Sequence, residues 1–415
     1  MNKSSKLSII GIAAMLLFSC SKEESLIPLS YDDFKTIPVE EARSLVLEYA
    51  KKLYPETRSA IDITNSEVLP LTKDLLTVST RAESLSEIPD TSFYIFNFPG
   101  ESGYAVASAN TKYGRSLICL TEKGSLTSED FSPIRTKATA DSSGLEGGTG
   151  FIADLICASI MANEIAPPID STVIGGGPGF VIYNKYGPFV ETKWDQIGTP
   201  FTDSTVAQSP AGCMAIAVGQ TIVANQVSNT MSFNGKLCSW DDLASVCHYS
   251  NPSYRGTLDS RIQVANFLKI ISDSDHCDIN YGAEASSGTL EGAKRTLEAI
   301  GYSSATIHRH LLIDAFTEQD QSNVTNQVIN GKPVIMSASN GYEAHAWIVD
   351  GYLEAIANSN FYHINWGANG LSDGYFWAGT FNQLSRFSRD EIDPYWSVPE
   401  PDNFDSQIQY LTYNF

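Results

Sequence analysis

Apolar and polar residues in the first third of the chain recur with two different periods. Apolar Ala42, Leu45, Tyr49 and Leu53 return at helical spacing, with acidic residues early and basic residues late in the same stretch. This pattern predicts an amphipathic helix over residues 36–53 that buries one face. Two apolar runs, at 92–98 and 104–108, flank a turn rich in Gly and Pro, and together they predict a β-hairpin.

A nearly all-apolar run begins at Cys213 and continues to Val218. It follows Ser209, Pro210, Ala211 and Gly212, which are small or turn-forming residues. Such a change in composition predicts a buried helix whose first residue is Cys213.

Two strand-like runs follow at residues 341–351 and 360–366. Strand alternation places His345, Trp347 and Val349 on one face of the first strand, and it places the residues between them on the other face. The second run ends with Asn365 and Trp366, and a neighbouring strand can bring either residue beside His345.

Two glycine-rich stretches, 142–150 and 175–179, interrupt these periodic patterns. No Lys-Ser/Thr follows the second stretch, so we interpret it as a connection or surface loop and not as a phosphate-binding loop. A chain of 415 residues is long enough for two folded units and a targeting segment. We therefore place a domain boundary between the two stretches.

The N-terminus has the pattern of an export signal. Lys3 and Lys6 precede an apolar run over residues 7–18, which is too short to remain as a membrane-spanning helix. The run leads into Leu17-Phe18-Ser19-Cys20, which resembles a bacterial lipobox and implies acylation of Cys20. Residues 21–24 resemble the signal that directs Bacteroidetes lipoproteins to the cell surface. The alternative is an ordinary signal peptide with an incidental cysteine.

The charge balance argues against a nucleic-acid partner, and the cysteine pattern argues against a metal site. The chain has 27 Lys and Arg against 48 Asp and Glu, a net charge of −21, and no basic cluster, so we expect no nucleic-acid partner. Five of the seven cysteines remain after Cys20 and Cys213 are set aside, and we interpret most of them as buried thiols. Cys238, Cys247 and Cys277 with His248 contain no Cys-x-x-Cys pair, so we predict no metal and no cofactor.

Cys213 and His345 are the candidates for nucleophilic chemistry. The free amide groups and the positive end of the dipole at a helix N-terminus stabilise a thiolate. A core cysteine on a buried helix is the alternative for Cys213 taken alone. The 132 positions between Cys213 and His345 fall within the roughly 130 to 150 typical of a papain-type nucleophile and its base. This spacing favours acyl transfer by a thiolate and an imidazole.

Three motifs in order resemble the streptopain family of papain-like peptidases (peptidase family C10). They are Ala-Gly-Cys-Met-Ala at 211–215, Ala-His-Ala-Trp-Ile-Val-Asp-Gly at 344–351 and His-Ile-Asn-Trp-Gly at 363–367 followed by Ser-Asp-Gly-Tyr-Phe at 372–376. The resemblance includes Trp194-Asp195-Gln196 and covers about residues 185–385. Residues 31–130 resemble the inhibitory pro-domain of that family.

The resemblance implies a role for each matching residue. Cys213 is then the nucleophile and His345 the general base, and the backbone N–H of Cys213 and the Gln196 side chain form an oxyanion hole. Trp366 is the first choice for the residue that covers the histidine, and Asn365 is the second. Ser287 and the backbone of Ala344 are implied to contact substrate.

The sequence therefore predicts an α+β chain with a papain-like peptidase domain. The predicted parts are a lipoprotein signal peptide (1–19), a polar tether (20–30), an inhibitory pro-domain (31–140), a linker or activation region (141–180) and the peptidase domain (181–415). The predicted function is that of a lipid-anchored cysteine endopeptidase, made as a zymogen, which is located at the bacterial outer membrane or cell surface or is released after processing. Its expected partners are protein or peptide substrates, its own pro-domain and, through the lipid, a membrane. The alternatives are a cysteine amidase or cell-wall hydrolase, and a catalytically inactive surface-binding lipoprotein.

Overall fold

A computed structural model describes most of the chain from residue 34 to residue 415. The described ranges are 34–54, 63–78, 89–114, 116–131, 147–161, 180–198, 201, 209–227, 231–233, 236–248, 255–282, 285–309, 316–339, 344–355, 360–381 and 408–415. Residues 35–415 form one compact unit, and the other unit, Met1–Phe34, lies outside the described residues except for Phe34. The predicted signal peptide, Cys20 and the tether therefore stay predictions.

The described residues form helices and a mostly antiparallel sheet. The helices are α1 (Val39–Leu53), α2 (Lys73–Val78), α3 (Gly147–Met161), α4 (Cys213–Asn225), α5 (Trp240–Ser245), α6 (Leu258–Ile271), α7 (Leu290–Ala299) and α8 (Glu318–Ile329). The strands are β1 (Glu67–Thr72), β2 (Thr91–Asn97), β3 (Tyr104–Ser108), β4 (Leu117–Thr121), β5 (Ile182–Tyr186), β6 (Met231–Phe233), β7 (Lys236–Cys238), β8 (Ser303–Arg309), β9 (Val334–Ser339), β10 (Ala344–Ala355), β11 (Phe361–Asn365), β12 (Gly374–Trp377) and β13 (Gln409–Asn414). The predicted α+β class is confirmed.

The local predictions for the N-terminal part agree with the structure. The predicted helix at 36–53 is α1, which begins after Pro38 and buries Leu45, Tyr49 and Leu53 on one face. The predicted hairpin is β2 and β3, which pair in antiparallel register from Phe93 opposite Ser108 to Asn97 opposite Tyr104. Both predictions are confirmed because their signals are local in the sequence.

One large sheet runs through the whole described chain. Ten of its strands follow the order β1-β2-β3-β4-β12-β11-β10-β9-β13-β8, and β5 pairs with β10. The four N-terminal strands join the later ones where β4 pairs with β12, with Leu120 opposite Tyr375. The segment predicted as a pro-domain thus extends the same sheet that carries the candidate peptidase motifs.

Two apolar clusters cover the two faces of the central strands. On one face, which we call the α3 side, Trp347, Val349 and Trp366 pack with Phe151 of α3. On the other face, the α4 side, Ala346 and Ile348 pack with the buried residues of α4. The alternation predicted for β10 is therefore confirmed, and it separates neighbouring residues of this strand into different environments.

Helix α3 differs from the sequence prediction. Residues 141–180 were expected to form a linker, but Gly147–Met161 is a helix whose described side chains are buried, Phe151 and Ile160 among them. The three glycines in its first turn have low helix propensity, so the sequence pattern does not predict a helix at the apolar run that follows them.

A third apolar cluster packs α1 on the N-terminal strands. Among the described residues no helix is both long enough and apolar enough to cross a bilayer.

Candidate active site

Cys213 is the first residue of α4, as the sequence predicts. Gly212 precedes it with φ 89° and ψ 143°, a conformation that is nearly restricted to glycine. A Cβ atom at Gly212 would lie 2.9 Å from the carbonyl oxygen of Ser286. Glycine therefore allows both the sharp turn and the close approach that place Cys213 at the helix start. Behind it, the residues from Met214 to Val223 are buried and hold the helix rigidly.

The thiol of Cys213 is half-buried and is held by backbone amide groups. Burial raises the pKa of Cys213, while hydrogen bonds from the backbone N–H groups of Ala346, Met214 and Cys213 itself lower it in part. Burial has the larger effect, so the group is a neutral thiol at neutral pH in this structure. It needs a base to become the reactive thiolate.

His345 lies near the start of β10 and points to the α3 side. Its Nε2 atom donates to the carbonyl oxygen of Trp366 at 3.0 Å. Its ring centroid lies 6.0 Å from Trp366, 6.1 Å from Phe151 and 6.5 Å from Trp347. Burial lowers the pKa of His345 to about 4, although the hydrogen bond to Trp366 raises it in part. The imidazole is therefore neutral at neutral pH.

The two candidate catalytic groups are near each other in the chain trace but on opposite faces of β10. Cys213 packs with the cluster on the α4 side and bonds the backbone of Ala346, the residue next to His345. The His345 ring contacts aromatic residues on the α3 side. The structure thus does not bring the thiol and the imidazole together. In this state no proton passes from the thiol to the imidazole, and both groups are neutral.

Trp366, the first choice from the sequence for the residue beside His345, and Asn365, the second choice, have different surroundings. Trp366 contacts His345 through both its carbonyl oxygen and its ring. The Asn365 side chain points to the α4 side, where its Nδ2 donates to the Thr192 carbonyl at 3.0 Å and its Oδ1 accepts from Gln220 Nε2 at 3.1 Å. In this structure Trp366 is therefore the residue beside the imidazole.

The other predicted site residues lie around the N-terminus of α4. The Gln196 carbonyl accepts from Ala211 N at 2.7 Å, which places the Gln196 segment two residues from Cys213. Ser287 is exposed and exchanges backbone hydrogen bonds with Asn280, while its neighbour Ser286 donates to the Pro210 carbonyl at 2.6 Å. Ala344 is exposed at the first position of β10. These residues border the nucleophile on the α4 side.

Sequence reasoning missed two residues that hold this site together. Gln220 is buried and connects three elements, because its Oε1 accepts from Trp194 N at 2.9 Å while its Nε2 bonds Asn365. Asp373 is fully buried, and its Oδ1 accepts from Trp366 N at 2.8 Å while its Oδ2 pairs with Lys193 Nζ at 2.9 Å. Gln220 lies seven positions after Cys213, on the same face of α4, which is the only sequence signal for it.

No metal site emerges from the described part of the chain. Within it no group of three or more His, Cys, Asp or Glu side chains could hold a metal ion. The cysteines considered above as ligands, Cys238, Cys247 and Cys277, are buried.

The sequence that forms this site is similar to the sequences of a known protein family. Residues 194–376 match the sequence model of the peptidase C10 family. Streptopain of Streptococcus pyogenes is 27% identical over 220 residues, which cover 48% of this chain and 52% of streptopain. A thiol protease/hemagglutinin of Porphyromonas gingivalis is 25% identical over 210 residues, or 46% of this chain and 23% of that protein. The chain thus matches about half the length of streptopain and a smaller share of the second relative.

Two solved structures are similar at low sequence identity. A prointerpain A fragment from Prevotella intermedia has a TM-score of 0.47 at 16% identity, covering 77% of this chain and 95% of that one. Active interpain A from the same organism has a TM-score of 0.37 at 16% identity, covering 55% and 95%. The family match itself confirms the resemblance to the streptopain family, and with it the papain-like fold class.

Proposed function

Given that residues 194–376 belong to the peptidase C10 family, we propose that this chain is a cysteine endopeptidase that is made as a zymogen. The observation that carries the proposal is the position of Cys213 at the start of a buried helix, bonded by the backbone of the residue that follows His345. Bringing the imidazole to the sulfur requires a change of the backbone at the start of β10, because the pleat of the strand fixes the face on which the His345 side chain lies.

The catalytic cycle follows from these residues. His345 takes the proton of Cys213, and the thiolate attacks the carbonyl carbon of the scissile peptide. The backbone N–H of Cys213 and the side chain of Gln196 stabilise the oxyanion, each contributing on the order of a hundredfold in rate. The imidazolium then protonates the leaving amine, and water hydrolyses the acyl-enzyme to regenerate the thiol. Trp366 orients the imidazole, and Ser287 with the backbone of Ala344 binds the peptide beside it.

Latency follows from the contacts of His345. The aromatic ring of Phe151, on a helix that precedes the peptidase part, packs against the imidazole. We infer that proteolysis between α3 and β5, within residues 162–179, allows α3 to leave and frees the imidazole to turn toward Cys213. The N-terminal segment, residues 31–161, then acts as the inhibitory pro-segment, and its removal makes activation irreversible.

The chain is further proposed to be a lipoprotein of the cell surface. This proposal rests on Cys20, on the apolar run and lipobox-like residues before it, and on residues 21–24 after it. Since Cys20 belongs to the pro-segment side of the cleavage, the lipid would tether the precursor and leave the mature enzyme free to be released. Metabolic labelling with a fatty-acid analogue tests this, and Cys20→Ser should abolish the label.

Comparison of the wild-type chain with Cys213→Ala tests the peptidase and zymogen proposals together. We expect the wild type to be processed and Cys213→Ala to accumulate as the precursor, with N-terminal sequencing of the products locating the cleavage between α3 and β5. The processed protein is then incubated with casein and, separately, with purified cell wall. Hydrolysis of the wall alone would replace the proposal by a cell-wall amidase, and no hydrolysis with no labelling of Cys213 would indicate a binding protein.

A further inference from the structure

Glu122 is a residue of the N-terminal segment whose side chain contacts two cations of the peptidase part. It follows β4, and its Oε2 accepts from Lys193 Nζ at 3.1 Å. Its Oε1 lies 3.3 Å from Nε2 of His363 on β11, 241 positions away in the chain. The side chains of Lys193 and His363 are 5% and 1% exposed, and that of Glu122 is 14% exposed. These contacts are therefore largely shielded from water.

Both cations also have a carboxylate partner within the peptidase part. Lys193 Nζ lies 2.9 Å from Asp373, and Nδ1 of His363 lies 2.6 Å from Asp350. Departure of Glu122 would leave each cation paired, so no uncompensated buried charge would result. We call Lys193 Nζ and His363 Nε2 together the carboxylate socket.

The backbone around Glu122 fixes its side chain toward the socket. Glu122 N donates to the Asp373 carbonyl at 2.7 Å, and Ser372 N donates to the Lys123 carbonyl at 3.0 Å. A second contact joins the same two segments, since the hydroxyl groups of Tyr104 and Ser372 lie 3.2 Å apart. These hydrogen bonds hold the loop before β12 against the N-terminal segment, beside the Glu122 carboxylate.

The charges that face Glu122 come from several elements. Lys193 and His363 face it directly, Asp373 and Lys185 act at longer range, and Lys123 is its chain neighbour. Burial alone would raise the pKa of Glu122, but Lys193 and His363 outweigh burial and lower it below its usual range. Burial likewise would lower the pKa of His363, but Asp350 and Glu122 raise it to about 9. Both groups are charged at neutral pH.

We propose that Glu122 is the ionic anchor of the pro-segment, and that the carboxylate socket keeps the N-terminal fragment bound after the chain has been cut between α3 and β5. The proposal rests on the zymogen function proposed above, and it adds a residue-specific reason why cleavage and release are separate events. Proteolysis breaks the covalent link, while the anchor, together with the pairing of β4 with β12, slows the departure of the fragment.

The pH dependence of retention follows from the two groups. Asp350 and, to a smaller extent, Glu122 raise the pKa of His363, so binding of the fragment is linked to proton uptake and retention weakens as the pH rises through about 9. At the acid end, a free glutamate titrates at about 4.3. Since the bound carboxylate has a lowered pKa, retention also declines as the pH falls below that value. Retention should be greatest between these limits.

The test uses the full-length chain with Cys213→Ala, so that no self-processing occurs. A recognition sequence for a site-specific protease is inserted within residues 162–179, and an affinity tag follows the exposed C-terminal Phe415. After cutting, the tagged part is captured and the co-captured N-terminal fragment is quantified from pH 4 to pH 10. Glu122→Gln is compared with Glu129→Gln, a matched change at an exposed residue of the same segment.

We expect the fragment to be retained at pH 7 and retained more weakly above about pH 9. Glu122→Gln should weaken retention at pH 7 by about ten- to a hundredfold, as for hydrogen bonds to charged groups. Glu129→Gln should behave like the parent. Thermal unfolding of the uncut chains verifies that both variants fold, and the pH series on the parent chain needs no substitution at Glu122. Equal retention by Glu122→Gln and Glu129→Gln, or immediate loss of the parent fragment at pH 7, would overturn the anchor. Neither result depends on peptidase activity, which the comparison of wild type with Cys213→Ala tests separately.

Discussion

At the scale of single residues, the protonation of the candidate catalytic pair is set by burial. The thiol of Cys213 has a raised pKa and the imidazole of His345 a lowered one, so each is neutral where an active papain-type pair is charged. The two shifts have a common origin, since each group lacks the other as a charge partner while it is enclosed by apolar neighbours. Bringing the groups together would reverse both shifts at once.

Phe151 is the residue whose removal should loosen His345. Phe151→Ala removes a 1% exposed ring that contacts the imidazole, Trp347 and Trp366. We expect a loss of about 3–5 kcal/mol in the free energy of unfolding and a faster alkylation of Cys213 in the precursor at pH 7, measured by urea unfolding and by peptide mass spectrometry. Ile160→Ala, in the same helix and equally buried, should lower stability without accelerating alkylation. A similar acceleration in both variants would show that general loosening, and not the ring, controls the histidine.

At the scale of elements, the sequence predicted what depends on local patterns. Helix α1, the β2–β3 hairpin, the start of α4 at Cys213 and the two faces of β10 all follow from periodicity within about ten residues. The bridging role of Gln220 and the contact between Glu122 and His363 depend on residues 145 and 241 positions apart. Helix α3 was missed for a different reason, because glycines dominate its first turn. The contact between Phe151 and His345 likewise joins distant parts of the chain, and no local pattern predicts it.

The turn before α4 is the element whose geometry should matter most to the nucleophile. Gly212→Ala would strain a backbone with φ 89° and bring a Cβ atom within 2.9 Å of the Ser286 carbonyl. We expect a loss of more than about 2 kcal/mol in the free energy of unfolding, together with an altered rate of Cys213 alkylation. Gly301→Ala is the matched control, because Gly301 has φ 104° but no atom within 4 Å of the added Cβ. It should cost about 1 kcal/mol and leave alkylation unchanged. Urea unfolding and alkylation kinetics measure both, and equal effects would discount the contact with Ser286.

At the scale of the whole molecule, the sheet depends on its last strand. β13 lies between β8 and β9, and Tyr410 and Leu411 are fully buried there. The Tyr410 hydroxyl donates to Asp320 of α8 at 2.7 Å, and its ring stacks on His308 of β8 with centroids 4.4 Å apart. The C-terminal residues therefore join one end of the sheet to two other elements.

Deletion of residues 408–415 should abolish cooperative folding. It removes the strand that pairs with both β8 and β9, and it opens the cluster on the α4 side where Leu411 packs. We expect little soluble protein and no cooperative transition in urea, followed by circular dichroism. Deletion of Phe415 alone, a residue 57% exposed, should change the free energy of unfolding by less than about 1 kcal/mol. A cooperative transition of unchanged midpoint in the longer deletion would show that β13 is dispensable.

The strand order also has a consequence for biosynthesis. β4 can pair with β12 only after the strand that begins at residue 374 has been made. β8 and β9 can be joined only after β13, which ends at Asn414, has been made. Domains usually begin to fold on the ribosome from their N-terminal side, but here the sheet stays incomplete until β13 has been made. Until then, β8 and β9 lack the strand that joins them. Under the proposed peptidase function, this order delays completion of the enzyme until its last described strand has been synthesised.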